Sequence, residues 1–162
     1  MTSTIRFAAT AAVLLLSTPA VAAPKPAATP QRAEAAWRWL DQAMAPTLDA
    51  EQRGKLVWAA YNNAAGSLCN EVTVDDAKLG ALLTGLLPPE DDPKTTPEQR
   101  DHLQLSLMLH LGAATGIFAA ENADKLSSFC AEAVALRDDP ANAGKHLFLP
   151  RDDDDDGDAS KP

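Results

Sequence analysis

The segment Thr96-Pro97-Glu98-Gln99-Arg100-Asp101-His102-Leu103-Gln104-Leu105-Ser106-Leu107 decides the fold. Its second half alternates polar and apolar residues, and Leu109 and Leu111 continue the alternation, which is the period of a half-buried strand. Its first half is the start of a helix. Thr96 and Gln99 have the spacing of a capping box, and Pro97 falls on the first helical position, where its missing N–H costs nothing. Leu and Met also favour helix. No second segment offers a strand for pairing, and a lone strand would leave its backbone groups unmatched. The segment therefore reads as a helix, apolar on most sides and expected to be central. Gly112-Ala113-Ala114-Thr115-Gly116 continues it with small residues suited to close packing, in flanks too polar for a membrane dimer motif.

Upstream, Thr29-Pro30 opens a first helix reaching about Met44, with Ala33, Ala36, Trp37 and Leu40 on one stripe and Trp39 pointing elsewhere. Asp49 with Gln52 caps a second helix, whose stripe is Val57, Ala60, Tyr61, Ala64 and Leu68, and Cys69 stands at its end. Thr73, with Asp75 and Asp76 in the first turn, is expected to open a third helix that buries Ala77, Leu79, Leu82, Leu83 and Leu86. Pro88 to Thr95, rich in Pro and acid, reads as a loop. Downstream, Asn122 or Asp124 is expected to cap a fifth helix with Leu126, Phe129, Cys130, Ala133, Val134 and Arg137 on one face, which places Cys130 on the buried side. His146-Leu147-Phe148-Leu149-Pro150 reads as an apolar strip that tucks back onto the bundle. The predicted fold is an all-α bundle of about five helices with one inter-helix disulfide.

The ends of the chain set its expected destination. Met1–Arg6 carries one cation, Phe7–Leu16 is apolar, and Ala20-Val21-Ala22 is a small-x-small cleavage site, the plan of a secretory signal peptide over 1–22. The apolar run is shorter than the ~20 residues a bilayer demands. No run after Ala22 is expected to be long and apolar enough to span a membrane. Residues 23–28 form a Pro/Ala linker, 29–150 the helical domain, and 151–162 a disordered acidic tail. The expected localisation is periplasmic or extracellular, after cleavage near Ala22. In such an oxidising compartment the only two cysteines, Cys69 and Cys130, are expected to pair with each other.

Chemistry is sparsely marked. The formal net charge is −9 and the densest charge cluster is acidic, which argues against nucleic acid as a partner. His102 and His110 lie two turns apart on one helix, but a helical zinc pair needs ligands four apart, and position 106 is serine. They remain candidates for a pH switch, while His146 stands remote from both. No Gly-x-Ser-x-Gly elbow accompanies Ser67, Ser106, Ser127 or Ser128. Asp75-Asp76, Asp91-Asp92 and Asp138-Asp139 are explained by caps and turns. Asp152, Asp154, Asp156 and Gly157 match the opening of a calcium loop, yet no residue stands at its twelfth position. No catalytic, metal or cofactor site is therefore expected.

Leu48-Asp49-Ala50-Glu51-Gln52 resembles the Leu-Thr-x-x-Gln motif of the Spy/CpxP periplasmic stress proteins, and Thr95–Gln99 echoes it with Thr95 in place of Leu. The likeness is confined to these short stretches. The helices that follow are Ala- and Leu-rich, whereas that family is rich in Met, Lys and Glu. The expected function is a non-enzymatic protein-binding module of the cell envelope. The alternatives are a periplasmic chaperone or acid-stress protein, and an enzyme with an unmarked site.

Overall fold

A computed structural model describes residues 30–151. The expected signal peptide, linker and Thr29 cap, and the calcium-like Asp152–Gly157 run of the expected acidic tail, lie outside the described residues. Five α-helices make up the bundle: α1 (Pro30–Met44), α2 (Ala50–Leu68), α3 (Asp76–Thr84), α4 (Pro97–Glu121) and α5 (Leu126–Asp138), followed by a 3₁₀ turn, Pro140–Asn142. The helical reading of Thr96–Leu107 holds. Thr96 Oγ1 accepts from Gln99 N and Gln99 Oε1 accepts from Thr96 N, closing the capping box. Asp49 and Gln52 close the same box at the start of α2. The echo between the two segments is thus the same cap made twice, which needs no common origin.

α1 runs antiparallel to α4. Trp37 meets Phe118 edge to face, with ring centres 4.9 Å apart, while Thr47 and Leu48, past the end of α1, border a cleft with Leu103 and Leu107. α2 runs parallel to α4: Gln52 borders the same cleft, and Asn63, further along, donates to Thr115 Oγ1 at 3.3 Å. A parallel pair needs a long return connection, and residues 69–96, with α3, supply it. Leu40, Met44, Leu56, Ala59 and Ala60 meet Leu107, Leu111 and Ala114 in one buried cluster. Ala64, Ala65, Val72, Phe129, Ala133 and Phe148 form a second, beside the disulfide. The bond joins Cys69, the C-cap of α2, to Cys130 in α5 across a Cα–Cα distance of 5.4 Å.

The last described residues finish the core. Gly144, at φ 79°, takes the left-handed turn that suits glycine. The chain then runs extended between α2 and the approach to α3. Asp75 N donates to Leu147 O at 2.7 Å and Leu149 N to Thr73 O at 2.9 Å, around a lone bridge between Val74 and Phe148. Trp58 Nε1 donates to Lys145 O at 3.0 Å, and Asn62, fully buried, accepts from Leu147 N at 3.0 Å. This strap buries Phe148 completely.

Four expectations are corrected. Asp75, not Thr73, is the N-cap of α3, accepting from Ala77 N and Lys78 N, because Thr73 is taken up in the strap pairing. Neither Asn122 nor Asp124 caps α5. Asn122 instead turns back to close α4, its Nδ2 donating to Phe118 O, and Lys125 stands at the α5 start with no side-chain cap. α4 is not central: only Leu107, Leu111 and Ala114 are buried along it. It is also long and apolar enough by length and composition to cross a membrane, with no Asp, Glu, Lys or Arg between Asp101 and Glu121.

Two glycines of α2 report how the strap is seated. A Cβ on Gly54 would meet nothing within 4 Å, whereas one on Gly66 would stand 2.4 Å from Val74 Cγ2 and 3.3 Å from the Val74 backbone nitrogen. Gly54→Ala is expected to stabilise by up to about 1 kcal/mol through helix propensity. Gly66→Ala is expected to destabilise by about 1–3 kcal/mol, since overpacking forces the bridge away. Urea unfolding midpoints of the two variants will move in opposite directions.

Candidate interaction surface

The predicted site residues do not converge. His102 is exposed and His110 half-buried. Ser106 Oγ lies 3.4 Å from His110 Nδ1 beside a cleft of about 270 Å³ walled by Leu48, Leu86, Pro88 and Leu107. Ser67 and Ser128 bond back to carbonyls of their own helical turns. The acidic pairs act locally: Asp92 accepts from Lys94 N and Thr95 Oγ1, and Asp139 from Ala141 N. Among the described residues no three His, Cys, Asp or Glu side chains stand where they could share a metal ion.

His146 is the histidine that the fold singles out. It is 6% exposed, stacks on Phe148 with ring centres 5.8 Å apart, and its Nδ1 accepts from Phe148 N at 3.2 Å. Burial holds its pKa below the ordinary 6.5, the Lys78 and Arg137 cations add to this, and Asp138 opposes it. A histidine depressed in the folded state contributes stability that is complete above the unfolded pKa and is lost as pH falls through the folded one. Stability should therefore drop below about pH 6.5. His146→Gln should flatten that part of the pH profile, read from urea midpoints at a series of pH values.

A second concavity has an aromatic floor and a charged rim in which three carboxylates outnumber the single cation Lys125. Tyr61 meets Phe118 and Phe129 edge to face at 5.7 and 5.5 Å, and Glu121, Asp124 and Glu132 stand around them. Burial, and then the Glu132 charge, raises the Tyr61 pKa. Sequence reasoning missed this groove. Its signal was an aromatic on each of three helices, Tyr61 on α2, Phe118 on α4 and Phe129 on α5.

The most distinctive surface lies on α4. Its buried residues, at spacings of four and three, define one face, turned toward α1 and α2. On the opposite side Leu105 is 61%, Met108 51% and Leu109 66% exposed. Gly112 and Gly116 prolong that side, and a Cβ on either would meet nothing within 4 Å. Trp39, 62% exposed, stands one turn past Ala36, which packs beside Ala113 and Gly116. Among known proteins, no family model, no curated protein and no solved structure matches this chain. The surface is therefore read from its own chemistry. Isolated exposed apolar residues are ordinary, but a contiguous run of large ones on a helix marks an interaction surface.

Proposed function

We propose that this chain is an exported, non-enzymatic protein-binding module of the cell envelope, engaging its partner through the outer face of α4. The observation that carries the reading is the exposure of Leu105, Met108 and Leu109 together on a helix that needs none of them for its own packing. The signal-peptide plan of residues 1–22 supports the location. Crosslinking in the intact envelope tests it, with wild type and Leu109→Glu side by side. A crosslinked protein seen with wild type and lost in the variant supports the reading. Equal crosslinking by both, or none by either, overturns it.

A chaperone role is the second reading, and His146 favours it. Charging this ring within the strap would loosen the seat of Phe148 over Phe129 and bare apolar surface in acid. Suppression of client aggregation that rises on acidification, and that His146→Gln blunts, would support this role.

A further inference from the structure

We infer that the outer face of α4 is covered by a second copy of this chain, through an antiparallel α4–α4 crossing whose two-fold axis passes between His110 and Leu111. The inference rests on the reading of this face as protein-binding and names the partner. The exposed residues Leu105, Leu109, Gly112 and Gly116 are spaced four, three and four apart, the seam of a helix pair that packs at a shallow angle. Large side chains fill the first half of the seam, and bare glycines the second. About the stated axis, Leu105 falls opposite Gly116 of the second copy and Leu109 opposite Gly112. Both leucines of the seam therefore meet a gap, which is the self-complementarity that an isologous interface demands. A parallel crossing would set leucine on leucine and glycine on glycine.

Trp39 of α1 flanks the middle of the seam and adds apolar area on both sides.

The test uses the chain as its host processes it, measured by light scattering and sedimentation across a concentration series. Wild type is expected at twice the mass of one chain. Leu109→Glu and Gly112→Leu are expected to be monomeric. Both positions are exposed, and leucine is a better helix former than glycine, so helix content by circular dichroism should persist. A wild type that stays monomeric at every concentration overturns the inference, as does a dimer that survives both Leu109→Glu and Gly112→Leu. A monomer that instead binds phosphatidylglycerol vesicles through this face also overturns it. If the purified chain is monomeric while envelope crosslinks still vanish in Leu109→Glu, the second copy fails and the protein-binding reading stands.

Discussion

Phe148→Ala is expected to destabilise the protein by about 3–5 kcal/mol, the usual range for removing a fully buried phenyl ring. Phe148 is fully buried, and it packs with Ala64, Ala65, Val72, Phe129 and Ala133, several of them too small to move into the space it leaves. The strap around it is held by few bonds: the pairing with Thr73 and Asp75, the Asn62 and Trp58 contacts, and Lys78 Nζ to Phe148 O at 3.2 Å. Much of its seating therefore comes from the ring itself. Phe148→Leu keeps most of the volume and should cost far less, within about 1.5 kcal/mol. Urea denaturation of the three proteins checks this. A Phe148→Ala loss no larger than that of Phe148→Leu would show that the strap is not part of the cooperative core.

Removal of the disulfide is the second large effect. The bond closes a loop with a sequence separation of 61. In the chain-entropy model such a loop restricts the unfolded state by about 4 kcal/mol. It encloses α3 and α4 and ties the end of α2 to α5. Cys69→Ser with Cys130→Ser is therefore expected to lower stability by about 4 kcal/mol, less whatever the reduced chain recovers. Cys69 is buried and Cys130 half-buried, so reductant should act slowly on the folded protein and quickly on the unfolded one. Urea midpoints with and without reductant give the size of the effect, and thiol labelling over time gives the order of events.

What could be read from the residues, and what could not, divides along a physical line. Local chemistry was legible. The Asp49–Gln52 and Thr96–Gln99 boxes mark helix starts that the fold keeps, and alternation in His102–Leu107 loses to them. The Cys69–Cys130 pair was legible from its even count and expected compartment. Competition between neighbours was not. Asn122 suits a helix start, yet it serves the end of α4 a few residues upstream, and Thr73 gives way to Asp75 because a distant strap claims its carbonyl. Burial was the hardest to read. An all-round apolar α4 implied a central helix, but α1 and α2 cover only one side of it, so Leu105, Met108 and Leu109 face outward. His146 was passed over for the opposite reason: its burial arises from a fold-back that no local pattern encodes beyond a short apolar strip.

The strap also sets a clock. Helices α1 to α5 and both cysteines precede residues 145–149 in the chain. A polypeptide emerging N-terminus first holds α1 to α5 before it holds its plug. Until Phe148 arrives, Val72, Phe129 and the alanines of α2 lack their cover, and the tertiary structure cannot lock. Packing of this cluster therefore waits until residue 148 has emerged, after the last residue of α5.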